Sequence, residues 1–182
     1  MKKTRREQKR EDRQQFGRGG SATRYKMKEK LFSFGDDFWI EDETGQRAFK
    51  VNGKLFAVRD SLDLEDARGK TLVKVRSKLL TIRGQIKLDR DDAPGAVVKK
   101  DLINIVRDHM VMEMDNGVHI DIRGNLLDHE YDFTRGRDKV AEVSKKWFRL
   151  RDTYGVQIQP GEDDVLFLAA TVAVDQLFHD VI

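Results

Sequence analysis

The sequence predicts a mainly β protein: a β-barrel or strongly curled sheet closed around one C-terminal helix. Two observations carry that reading. Val165 to Val174 reads V-L-F-L-A-A-T-V-A-V, which is apolar on every side of any helix it could form. A surface helix shows one polar face, so a helix without one has to be enclosed. Nearly everything before it alternates with period two between turn signals, giving about a dozen short strands at the spacing of a barrel or sandwich.

Asp37 to Glu41 is the first clear alternating strand, and Asp42-Glu43-Thr44-Gly45 turns the chain into Arg47 to Val51. Asn52-Gly53 then reads as a two-residue hairpin turn into Lys54 to Arg59, because both positions tolerate positive φ. Leu62 and Leu64 continue the meander to a turn at Ala67-Arg68-Gly69-Lys70. Thr71 to Leu88 holds two strands, broken near Lys78 or Gly84, and Asp89 to Gly95 is a loop. Ala96 to Lys100 and Leu102 to Arg107 follow. Met110, Met112 and Met114 share one face of the next strand, where methionine serves as core filler. Asp115-Asn116-Gly117 turns into Val118, Ile120 and Ile122 facing inward, with His119, Asp121 and Arg123 facing out. Gly124-Asn125 reads as a further hairpin. Tyr131 to Phe133, Val140 to Ser144, Trp147 to Arg151 and Val156 to Ile158 complete the series. Pro160-Gly161 ends the last strand, and Asp163 or Asp164 can cap a helix at about residues 163–180. Such a helix is roughly 24 Å long, a match for a barrel of short tilted strands.

Composition bounds the function. Of 182 residues, 38% are hydrophobic and 37% charged, which suits strands that show one face to water. The chain has no cysteine, excluding disulfides, thiolate metal sites and a cysteine nucleophile. The basic start is not followed by the apolar segment of a signal peptide. The expected location is therefore cytoplasmic; a lipid-binding role would place it peripherally at a membrane. The formal charge of +3 is unevenly spread. Residues 1–24 hold nine Lys or Arg and three acids, a net of +6, which leaves −3 for the rest. Residues 1–24 bury too little to offset ordering and read as a disordered basic tail ahead of a domain at 25–182. Such an arm can attract nucleic acid or anionic lipid.

No catalytic signature stands out. There is no G-x-S-x-G elbow, no phosphate-binding glycine loop, and no third ligand at a supporting interval beside His119 and Asp121. No enzyme, cofactor or metal is expected. Lys74, Arg76 and Lys78 share one strand face and, with Arg83, form the candidate anion-binding or lipid-binding stripe, since converging cations chelate phosphate oxygens. Outward lysines are also ordinary guards of strand edges. A second basic cluster, Lys145, Lys146, Arg149 and Arg151, surrounds Trp147 and permits a cation–π contact.

An ordered set of short strings adds a resemblance. Tyr25-x-Met27-Lys28-Glu29-Lys30, Phe34-Gly35-Asp36, Ile40-x-Asp42-Glu43-x-Gly45 and Phe49-x-Val51-x-Gly53-Lys54 open it. Gly69-Lys70, Lys78-Leu79-Leu80, Ile122-x-Gly124-Asn125, Ser144-Lys145-Lys146-Trp147, Tyr154-Gly155-Val156 and the apolar run ending in Val174-Asp175 continue it to about residue 180. Together they resemble the LURP-one-related family, a tubby C-terminal-like group related to phospholipid scramblases. The resemblance implies a closed antiparallel β-barrel of about twelve strands around a central hydrophobic C-terminal helix. It also implies a non-enzymatic module for phosphoinositide-like phospholipid headgroups or a protein partner. The alternative is nucleic-acid binding through the basic tail.

Overall fold

The computed structural model describes residues 22–28, 37–53, 61–77, 84–101, 109–148 and 152–179. Among the described residues, twelve antiparallel strands close into one barrel around a C-terminal helix. In chain order the strands are β1 (Thr23–Lys28), β2 (Phe38–Asp42), β3 (Arg47–Gly53), β4 (Ser61–Asp66), β5 (Thr71–Ser77) and β6 (Gln85–Asp89). They continue as β7 (Ala96–Lys100), β8 (His109–Met114), β9 (His119–Asn125), β10 (Glu130–Arg135), β11 (Asp138–Ser144) and β12 (Thr153–Ile158). Helix α1 is Asp164–His179. Each strand pairs with its sequence neighbours, and β1 closes the ring by pairing with β12 from Thr23↔Ile158 to Lys28↔Thr153. Closure needs bending, and register shifts at Ile40/Glu41, Leu64/Glu65 and Phe133/Thr134 supply local kinks.

The strand alternation delivers one apolar side chain in two to the lumen. Ile40, Leu64, Val73, Ile86, Leu88, Val98, Met112, Ile120, Ile122 and Phe133 are fully buried there. Met110 and Met112 belong to this core, and Met114 packs against it, as the methionine stripe implied. α1 fills the lumen: Leu166 to Val174 are all buried, and Ala170 is wholly inaccessible. The Phe133 and Phe167 rings meet edge to face at 5.3 Å, joining wall to helix. No helix among the described residues is long and apolar enough to cross a membrane.

Polar contacts hold the helix entrance. The Leu166 amide donates to Asp163 Oδ1 at 3.0 Å, so Asp163 is the cap. Arg90, which follows β6, pairs with Asp163 from outside. Tyr25 Oη of β1 donates to Asp164 Oδ2 at 2.7 Å, tying the first strand to the last element.

Three local expectations are corrected. Asn52 and Gly53 form no turn but lie in β3, in register with Asp63 and Leu62 of β4. Asn52 Nδ2 there donates to Glu65 Oε1 at 3.0 Å, so the ladder overrides a local turn preference. Gly124 and Asn125 likewise belong to β9 and pair with Tyr131 and Glu130. Gly124 has φ +140, and a Cβ there would stand 2.5 Å from the Glu130 carbonyl oxygen, so the glycine permits a close strand approach rather than a turn. Residues Lys145–Trp147 form a 3-10 turn instead of opening a strand. The expected strands at 54–59 and 102–107 lie outside the described residues, as do residues 1–21. β1 starts at Thr23, two residues ahead of the expected domain start.

The Tyr25–Asp164 tether makes alkaline stability testable. Burial first, then the bond and charge of Asp164, push the Tyr25 phenol well above its ordinary value of 10.0. A raised phenol stabilises the fold fully below the unfolded value, and that contribution is lost as pH climbs from there through the folded value. Stability measured by denaturant titration should fall as pH rises above about 10. The Tyr25→Phe variant should be roughly 1–2 kcal/mol less stable at neutral pH and lose less on going alkaline.

Candidate functional site

The anticipated basic stripe lies on the outer face of β5. Val73 and Val75 point into the core, leaving Lys74 half-buried and Arg76 exposed on the outside. In register, Lys74 faces Asp63 of β4 and Asp89 of β6, while Arg76 faces Ser61 and Lys87. Asp89 takes Lys87 Nζ at 2.5 Å and Arg76 Nη1 at 3.6 Å. Two cations directly opposite one another are unfavourable on a sheet, so Asp89 serves as their shared counter-charge. Lys78 and Arg83 lie outside the described residues. Lys87 was not singled out from sequence, although its outward parity between Ile86 and Leu88 was there to be read.

The second cluster is built differently from the expectation. Ser144 Oγ caps the 3-10 turn by accepting from the Lys146 amide at 3.2 Å. Glu130 ties the turn to β10, accepting from Ser144 Oγ at 3.0 Å, the Lys145 amide at 3.1 Å and Lys146 Nζ at 2.8 Å. Trp147 and Phe148 thereby lie over β12 at Gly155, where a Cβ would come within 2.5 Å of Trp147 Cε3. The cation on the Trp147 ring is Arg24 of β1, with Cζ 4.9 Å from the centroid. Arg24 also donates from Nε and Nη2 to Gln157 Oε1 at 3.1 and 2.5 Å. Arg149 and Arg151 lie outside the described residues.

Arg24 ends a polar row crossing five strands in register, Arg123–Asp132–Glu142–Gln157–Arg24. Lys139 Nζ bridges Asp132 at 3.0 Å and Glu142 at 3.2 Å. Burial above all raises the Glu142 carboxyl from its ordinary value, with Lys139 opposing and Asp132 adding to the rise. The row floors a groove of about 490 Å³. Its charges satisfy one another, which describes a brace rather than an open site.

A second cleft, of about 460 Å³, lies beside β1 and β2. Among the described residues those strands pair at Tyr25↔Asp42 and Lys26↔Glu41, whereas β1 and β12 pair along six positions. Lys26, Met27, Lys28, Trp39, Glu41, Asp152 and Thr153 line the opening.

A carboxyl group of the helix is buried against the wall. Asp175 of α1 is 4% exposed, accepts from Tyr154 Oη at 2.6 Å through Oδ2, and meets His129 Nε2 at 3.1 Å through Oδ1. His129 stands in left-handed backbone (φ 51) and stacks on Tyr154 at 4.3 Å. Burial, then the Asp175 charge, raises the Tyr131 phenol well above the usual range. Both Asp175 oxygens are engaged, so the cluster anchors the helix to the wall. Sequence reading missed it because its members are 46 positions apart (175 − 129 = 46). His119 is exposed, and His109 is held between Asp101 and Asp121 at 3.0 and 2.9 Å. Among the described residues no group of three His, Cys, Asp or Glu side chains could hold a metal ion.

A closed barrel plugged by its own C-terminal helix, with ion-paired strand exteriors, defines the structural class. The chain belongs to the LURP-one-related family, whose family model matches residues 23–175. Its fold is similar to the X-ray structure of an Arabidopsis thaliana protein, with a TM-score of 0.57 and 19% identity over 87% of this chain and 91% of that one. It is also 32% identical over 65 residues to the uncharacterized protein YxjI of Bacillus subtilis strain 168. That match spans 36% of this chain and 40% of the relative's length.

The Trp147 cover gives a direct test. Gly155→Ala should displace the indole, break the Arg24 contact and lower stability by about 1–3 kcal/mol. Tryptophan fluorescence and chemical denaturation should both report the change.

Proposed function

We propose that this protein is a non-enzymatic module that docks anionic phospholipid headgroups against the outer face of β5 and β6, acting as a peripheral membrane protein in the cytoplasm. The observation that supports it is the arrangement of Lys74, Arg76 and Lys87 around Asp89. Arg76 opposite Lys87 is a pairing that folding alone disfavours. A phosphate arriving there meets cations already gathered and gains charge-assisted hydrogen bonds. Lys78 and Arg83, which neighbour this face in sequence, add positive charge to the same stretch. The absence of cysteine accords with a reducing compartment.

Co-sedimentation with vesicles containing anionic lipid, at low salt, tests this reading. A basic side chain near an anionic surface contributes about 1 kcal/mol. The Lys74→Ala/Arg76→Ala/Lys87→Ala variant should therefore bind on the order of 100-fold more weakly. Removal of residues 1–21 should leave most of the binding intact. Binding that survives the triple substitution but vanishes with residues 1–21 would move the ligand-binding role to the basic arm, and equal loss of nucleic-acid retention would support the nucleic-acid alternative.

A further inference from the structure

The cleft between β1 and β2 has a chemistry of its own. Neighbouring strands elsewhere share four or more register pairs, but here the described residues of the two strands share two. Outward side chains line the gap, with buried Met27 at its base. One lip carries Lys26 and Lys28 of β1. Glu41 of β2 and Asp152, immediately before β12, carry the opposite charge. The two lysines and two carboxylates of the lining sum to zero, and the Arg47 guanidinium beside Trp39 adds one positive charge. Lys26 and Glu41 pair with each other. Lys28 and Asp152 are exposed, and their side chains have no hydrogen bond or ion pair to another described residue. Asp152 is one of two non-glycine residues among those described with positive φ, at 57, and stands immediately before β12. Between the charges stands Trp39, with the Arg47 guanidinium 5.0 Å from its ring centroid, so the indole already serves as a surface for a cation.

We propose that this cleft binds a small zwitterion of the phosphocholine type. The phosphate meets Lys28, and Lys26 where it can be shared from Glu41. The quaternary ammonium packs on Trp39 within reach of Glu41 and Asp152. An onium group gains from an aromatic face and from carboxylates without needing hydrogen-bond donation, whereas the phosphate gains from the lysine N–H groups. The volume, near 460 Å³, falls in the range of small-molecule sites. The residues differ from the Lys74, Arg76 and Lys87 face, so the two sites can fail separately. Free phosphocholine and the headgroup of a phosphatidylcholine membrane share this chemistry.

The experiment is an NMR titration of the full chain with phosphocholine, run beside inorganic phosphate and choline alone, followed by phosphatidylcholine vesicles. Phosphocholine should shift the Trp39 indole N–H and the Lys28 and Thr153 amides, at concentrations where phosphate and choline each bind about tenfold more weakly. Lys28→Gln and Asp152→Asn, both at exposed positions and the second retaining a residue that tolerates left-handed backbone, should each weaken binding about tenfold with the fold unchanged by circular dichroism. The Lys74→Ala/Arg76→Ala/Lys87→Ala variant should bind phosphocholine normally. Binding to vesicles as well as to the free compound assigns a membrane source; binding to the free compound alone assigns a soluble one. No phosphocholine shifts, equal binding of phosphate alone, or indifference to both Lys28→Gln and Asp152→Asn would overturn the assignment.

Discussion

The constraint on which everything else depends is that α1 has no side it can show to water. Leu166 to Val174 are buried in every direction around the helix. A helix about 10 Å across needs a sheet that curls completely, and eight strands enclose little more than their own side chains. Twelve strands give the lumen that the helix occupies. The barrel and helix are therefore one core, since neither has another surface on which to bury its apolar atoms. Closure also removes the exposed edges that invite association. The helix is positioned at its start by Asp163 and Asp164, and near its end by Asp175. Asp175 is an expensive group to bury near a helix C-terminus, where the dipole already disfavours an anion. Tyr154 and His129 offset that by donating to both oxygens, and they fix the depth and rotation at which the helix can sit.

The exterior follows a second rule. Many outward strand positions carry charged side chains, and several of these pair with opposite charges on a neighbouring strand. Lys139 between Asp132 and Glu142, and Lys146 on Glu130, are examples of groups that neutralise one another. Against that background the places where the rule lapses carry the functional argument. At β5–β6 two cations face each other with one shared carboxylate. Between β1 and β2 the described residues share two register pairs, beside a cleft of mixed charge lined by an indole. The family likeness covers the scaffold that supports both places, while the ligand chemistry rests on the side chains themselves.

Period-two alternation made most of the wall legible, because facing is a local property that each strand displays in its own residues. The apolar C-terminal run made the helix legible for the same reason, and its predicted span of about 163–180 lies within a residue at each end of Asp164–His179. Turns were less secure. Asn52-Gly53 and Gly124-Asn125 carry strong local turn chemistry, yet cross-strand pairing extends through both. The signal was real but the ladder outweighed it. The site residues that sequence could not supply are those defined by distant partners. Nothing near Arg24 announces that it stacks on Trp147, and nothing near His129 points to Asp175. Lys87 was within reach of a parity argument. The cleft between β1 and β2 was not, since it depends on how the two strands pair.

If barrel and helix share one core, α1 cannot open while the wall remains folded. Native-state amide hydrogen exchange measures this directly. The account predicts that amides from Leu168 to Val174 exchange only through global unfolding, with the same free energy and denaturant dependence as the most protected amides of β9, β10 and β12. Helix amides that exchange through a smaller opening, while those strands stay protected, would contradict it.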